Sequence, residues 1–164
     1  MIIFYHGGTS VMKKIFLGIF IGAFIVASFG VALAQQNAII GTWQNYEAKG
    51  DNKGKAKAHN EIFEKDGAYF GKTTKVFLVP QDAVCVKCEG DLKNKPVIGL
   101  VFLRDMKKTG DVDEELGEEY AGGTVMDPDK GKTYKCKIWV KGNTLTLRGY
   151  AGFLYETQKW TRVK

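Results

Sequence analysis

The chain has 164 residues, 26% of them charged, with three cysteines, three prolines and a formal charge of +6. That length holds about one ordinary domain and excludes a large multidomain enzyme. The averages conceal two unlike parts, because residues 1–34 carry only two charges, Lys13 and Lys14, in an otherwise mostly apolar stretch.

Met12-Lys13-Lys14, an uncharged run from Ile15 to Leu33 and a closing Ala32-Leu33-Ala34 form the basic head, apolar middle and small-residue exit of a secretory signal peptide. Cleavage is expected between Ala34 and Gln35. Translation is expected to start at Met12, since residues 1–11 fit no leader plan and Gly7-Gly8 is what a purine-rich ribosome-binding site gives when read through. The competing reading is an uncleaved anchor, because about 20 apolar residues span a bilayer; the Ala-x-Ala exit favours cleavage. Position 35 is Gln, not Cys, so no lipoprotein-type acylation site is seen. Removal leaves a domain at 35–164 of 130 residues with 22 basic and 18 acidic groups. The expected location is periplasmic or secreted, with no stable membrane anchor after cleavage.

Beyond the leader, the apolar run gives way to short segments separated by Gly, Asn and Asp, the pattern of an antiparallel all-β protein. A first strand is predicted around Ile39 to Trp43, with a lysine-rich turn near Gly50 to Gly54. Strands then follow over Ala58 to Glu64 and Ala68 to Val79, joined by a turn at Lys65-Asp66-Gly67. Gln81 to Lys95 reads as a long exposed connection, Pro96 to Arg104 as a strand and Lys107 to Glu119 as a polar, acidic loop. Tyr120 to Met126 is the next strand, followed by a tight turn at Asp127 to Gly131. Lys132 to Lys141 alternates, with Tyr134, Cys136, Ile138 and Val140 on one face and lysines and Trp139 on the other. Gly142-Asn143 makes a two-residue hairpin turn into Thr144 to Tyr150, and a last strand covers Thr157 to Val163. About eight to ten strands in this length suit a closed up-and-down antiparallel β-barrel; an immunoglobulin-like sandwich would leave edges to protect, and its Cys, Trp and Cys spacing is absent.

Many chemistries lack their residues. Both serines, Ser10 and Ser28, leave with the leader, and His59 is the one histidine of the mature domain, so no serine triad can be built. There is no phosphate loop, no zinc-protease helix motif and no dinucleotide fingerprint. The lysines are scattered among acids and there are three arginines, which excludes a nucleic-acid footprint. We therefore expect no enzyme, no cofactor and no metal; a protein partner is left unknown.

Gly41-x-Trp43 on the first strand and Trp160-Thr161-Arg162 on the last resemble the lipocalin and calycin superfamily. The resemblance implies that Gly41, Trp43 and Arg162 close one end of the barrel, the arginine packing across the indole. A longer match joins Gly122-Gly123, Asp127-Pro128, Gly131-Lys132-Thr133-Tyr134, Leu147-Arg148-Gly149-Tyr150-x-Gly152 and Gln158-x-Trp160-x-Arg162-Val163. With Asp66-Gly67-x-Tyr69-x-Gly71-Lys72 and Asn94-Lys95-Pro96-x-Ile98-Gly99-Leu100, it resembles a secreted bacterial family known as a domain of unknown function. This implies an exported lipocalin-like barrel and no particular reaction. The chain departs from that pattern at Val125-Met126, where the family prefers Ile-Tyr.

Cys85 and Cys88 read most simply as a local disulfide in an oxidising compartment, with free thiols and metal or redox chemistry as alternatives. Cys136, on an apolar strand face, reads as a small hydrophobe. The leading functional expectation is a binder of a small apolar or amphipathic molecule, fatty-acid-like, in the barrel. Its lumen candidates are Ile62, Phe70, Ile98, Leu100, Phe102, Tyr134, Ile138 and Leu147, with Tyr120, Arg148 and Tyr150 as polar anchors. The strand alternation by itself points Arg148 outward. The alternative is an envelope interaction or structural protein whose barrel is filled.

Overall fold

The computed structural model describes residues 38–164; the leader over 1–34, its cleavage after Ala34 and the start at Met12 lie outside the described residues. Apart from two single turns of 3-10 helix, every regular element described is a strand. In chain order these are β1 (Gly41–Tyr46), β2 (Ala56–Lys65), β3 (Ala68–Val76), β4 (Val101–Asp113), β5 (Gly117–Ala121), β6 (Thr124–Asp127), β7 (Lys132–Lys141), β8 (Thr144–Ala151) and β9 (Leu154–Arg162).

Except for β5 and β6, consecutive strands pair antiparallel, β3 with β4 included, and β9 returns to β1. β5 and β6 occupy successive lengths of one stave, both lying between β4 and β7. The result is a closed up-and-down barrel of eight staves, one of them broken. Closure satisfies the edge N–H and C=O groups that an open sheet would leave to other chains.

Local chemistry explains where the chain turns. Asp66 and Gly67 both take positive φ, 52° and 73°, the pair of left-handed residues that matches the twist of the β2–β3 hairpin. In β7 Cys136, Ile138 and Val140 are buried and Lys135 and Lys141 are exposed, but Trp139 breaks the alternation, being buried on the outer face with Arg148 and Lys137 over its ring. The broken stave has a steric cause. At Gly123 the space a β-carbon would take is filled by the Arg104 carbonyl, so the chain comes this close to β4 only as glycine.

Three predicted boundaries are corrected. Lys107 to Glu119 is not a loop: β4 continues to Asp113 and pairs with β5, as a hairpin whose outer length is solvated on both faces. Pro96 to Leu100 is not strand, because Gly99 (φ 89°) turns the chain before β4 begins. The last strand starts at Leu154, paired with Ala151 across the turn.

One end of the barrel is packed solid. Trp43, Ile62, Met106, Tyr120, Ile138 and Leu145 are essentially inaccessible there, each worth about 1.5–3 kcal/mol of apolar burial. The Tyr69 and Tyr120 rings meet edge to face at 5.3 Å, and the Tyr120 hydroxyl donates to Glu118 Oε2 at 3.0 Å. Burial, reinforced by that carboxylate, raises the Tyr120 pKa well above that of a free phenol.

Candidate functional site

The inward positions of β1 and β2 change character along the barrel. Trp43 and Ile62 are apolar at the packed end, whereas Asn45, Ala58 and Asn60 are small or polar toward the other. The packing stops where they begin. Beyond Phe102 and Trp160, whose rings lie 6.0 Å apart, a cavity of about 760 Å³ opens, inside the range of roughly 300–1,000 Å³ typical of small-molecule sites. Val76, Val125, Met126, Tyr134 and Leu147 supply apolar wall.

Four polar residues also line the cavity, Asn45 on β1, Asn60 on β2, Thr73 on β3 and Gln158 on β9. The Thr73 hydroxyl donates to Asn60 Oδ1 at 3.2 Å, and Gln158 Oε1 accepts from Trp160 Nε1 at 3.1 Å. Among the described residues, two buried side-chain polar atoms lack a partner, Asn60 Nδ2 and Asn45 Oδ1, and both belong to this set.

The segment from Phe77 to Leu100 roofs the cavity. Ala83, Val84, Cys85, Val86 and Val97 line it from above. Cys85 and Cys88 form a disulfide and are both buried, while the rest of the connection over 81–95 is mostly exposed, as its polarity leads one to expect. Cys88 Sγ lies 3.7 Å from Met126 Sδ. The roof presses so closely on the β6–β7 turn that the Lys87 carbonyl occupies the place of a β-carbon at Gly131, where φ is also positive. Backbone bonds fasten the roof's base: Gly99 N donates to Thr73 O at 2.7 Å and Val97 N to Ala83 O at 2.9 Å.

Charge is confined to the rim. Lys57 binds Glu47 at 3.0 Å and also pairs with Asp129. Burial opposes the Lys57 charge, but its bonds to Asp129 and Glu47 outweigh that and hold its pKa above the ordinary lysine value. The same lysine lowers the Glu47 pKa. Lys130 pairs with Asp127 at 3.0 Å. Val86, Leu154 and Tyr155 are exposed apolar groups along the same rim.

Of the lumen candidates, Phe102, Tyr134 and Leu147 border the cavity. Ile62, Leu100, Tyr120 and Ile138 are buried in the core without bordering it. Ile98 is half-buried in the turn before β4. The lumen placement of Phe70, Arg148 and Tyr150 is corrected, because each has the parity of an outward side chain. Phe70 stacks on Phe63 at 6.0 Å and Tyr150 packs on Tyr155. The Arg148 guanidinium lies over the rings of Trp139 and Tyr155 at 5.2 and 4.5 Å, its Nε donating to Thr157 Oγ1.

At the packed end, the Arg162 guanidinium lies 4.1 Å from the Trp43 ring centroid. Its nitrogens donate to the Ile40 carbonyl at 2.8 Å and to the Ala38 carbonyl. A β-carbon at Gly41 would stand 2.5 Å from Arg162 Nη1, which explains the absence of a side chain there. His59 bonds Gln44 at 3.1 Å and does not border the cavity. Asn45, Asn60 and Thr73 were not among the expected site residues. Their signal was available: each stands at an inward position of its strand, Asn45 after Trp43 and Asn60 between Ala58 and Ile62, where a buried polar side chain is costly unless paired.

A closed eight-stave antiparallel barrel, packed at one end and hollow at the other, is a lipocalin-like architecture. Residues 41–162 match the family described as "Uncharacterized protein conserved in bacteria (DUF2147)", and the chain belongs to that family. It is similar to the solved structure of protein HP1028 from Helicobacter pylori, described as belonging to the lipocalin family. The two share 23% identity at a TM-score of 0.62, over 77% of this chain and 83% of that one. At that identity the likeness is one of fold. No curated protein matches the chain.

Proposed function

We propose that this protein is an exported, non-catalytic carrier that holds a small molecule with a largely apolar body, about the size of a fatty-acyl chain, in the barrel cavity. The observation that carries the reading is the cavity of about 760 Å³ beside Phe102, Leu147 and Trp160, beneath a disulfide-bonded roof. Barrels of this size can fill themselves with side chains, and leaving one half hollow forgoes packing energy that a ligand restores. The Cys85–Cys88 bond fits an oxidising compartment beyond the cytoplasm. No helix among the described residues is long and apolar enough to cross a membrane. The alternative, an envelope protein with a filled barrel, lacks the support that the cavity lends the carrier.

Native mass spectrometry of protein purified from its own host, together with titration by the uncharged probe N-phenyl-1-naphthylamine, tests the proposal. A persistent adduct of lipid size, or saturable probe enhancement lost on narrowing the cavity, is the expected result. Neither adduct nor enhancement would sink it.

A further inference from the structure

The two hairpins at the packed end turn on residues that suit water, Asp66-Gly67 and Gly142-Asn143, whereas the β8–β9 hairpin at the cavity end turns on Gly152-Phe153. Phe153 stands at that apex 93% exposed, and Leu154 and Tyr155 after it are exposed as well. Three consecutive apolar side chains left in water mark a surface with a use. Resting on the carrier reading, we propose that this tip docks the mouth of the barrel on a lipid bilayer, so that ligand passes between cavity and acyl chains without crossing water. The other exposed apolar groups are placed for it: Val79, Val84, Val86, Leu154 and Tyr155 border the cavity, so apolar surface runs from beside the apex into the opening. Phe153 does not border the cavity and is free to enter the membrane.

Shape and charge favour a bilayer over a protein partner. A single ring at the apex of a two-residue turn is a wedge: fluid acyl chains yield to it, whereas a protein would need a pocket cut to receive it, and a protein seated there would plug the mouth. Tyr150 and Tyr155 pair one step behind the apex with their rings 6.0 Å apart, amphipathic side chains of the kind that sit at headgroup level. The carboxylates of the mouth, Glu47, Asp127, Asp129 and Glu156, are each paired with Lys49, Lys57 or Lys130. The attachment is therefore apolar and requires no anionic lipid.

The experiment is co-sedimentation of protein purified from its own host with phosphatidylcholine vesicles at high ionic strength. The wild type is expected to sediment with the vesicles. Phe153→Asn, which gives this turn the residues of the β7–β8 turn, is expected to bind them at least about tenfold more weakly, the scale of losing one buried aromatic ring, while its affinity for N-phenyl-1-naphthylamine without vesicles stays within about twofold. Phe153→Trp is expected to keep vesicle binding and to show indole emission that moves to the blue on adding vesicles and is quenched by brominated acyl chains. Trp43, Trp139 and Trp160 are buried, so that change reports position 153. Binding that survives Phe153→Asn, binding abolished by salt, or an unmoved emission overturns the inference and leaves the carrier standing. So does self-association that Phe153→Asn abolishes in place of vesicle binding, which would show that a second copy covers the tip. A probe that never binds overturns both.

Discussion

Arg162 offers a direct test of how the barrel is closed. Replacing it with Met keeps the apolar stem but removes the guanidinium, which stacks on Trp43 at 4.1 Å and donates to the carbonyls of Ile40 and Ala38. A cation–π contact of this kind is worth about 0.5–2 kcal/mol and each bond from a charged donor about 1.5–3 kcal/mol. Because Arg162 is half-buried rather than sealed, the lower values apply and the expected loss is about 3–4 kcal/mol. In urea, monitored by tryptophan fluorescence, that moves the midpoint down by roughly 2 M at an ordinary slope for this size. Arg162→Lys is expected to recover less than half, since an ammonium cannot stack flat and reach both carbonyls. Probe binding by the folded variants is expected to be unchanged, because Arg162 does not border the cavity. A loss below about 1 kcal/mol, or full recovery by lysine, would refute the closure argument.

Joining residues three apart, the disulfide removes little chain entropy and contributes about 2 kcal/mol. Its reduction, or Cys85→Ser with Cys88→Ser, is expected to speed amide exchange between residues 77 and 100 and spare β7 and β8; uniform protection would contradict the roof. Ala58 is 6% exposed and borders the cavity, so Ala58→Phe is expected to weaken probe binding at least about tenfold while changing stability by under about 1 kcal/mol. Unaltered binding would place the probe elsewhere. Burial pushes the Cys136 thiol up to about 12, so above pH 9.0, its unperturbed value, the unfolded chain releases a proton that the folded one keeps. Stability therefore falls as pH rises from 9.0 toward about 12, at about 1.4 kcal/mol per unit from this thiol. The wild type is expected to lose more than Cys136→Val between mildly and strongly alkaline urea titrations; parallel losses would show the thiol to be exposed.

The sequence is most readable where each strand face meets one environment. β7, its turn at Gly142-Asn143 and the β2–β3 hairpin are legible because water lies on one side and core on the other. The β4–β5 hairpin is not, since from Lys107 outward both faces are wet and alternation disappears. The roof is legible only in part: its polar residues point to water as expected, but the two cysteines are buried beneath them and Ala83 and Val97 are half-buried against the cavity. For the site, a reading that equates lumen with apolar residues finds Phe102 and Leu147 and passes over Asn45, Asn60 and Thr73. The cavity is marked by the residues that fail to fill it.

Lys57 stands on β2, and Asp129 on the turn between β6 and β7, on opposite sides of the mouth. The bond between them is a drawstring over the opening, made by groups that water reaches and salt screens. Its loosening costs about 0–1 kcal/mol, less than any rearrangement of the barrel behind it. On the proposed carrier reading, ionic strength outside the protein governs how quickly a ligand is exchanged, while the uncharged wall within leaves the tightness of its hold indifferent to salt.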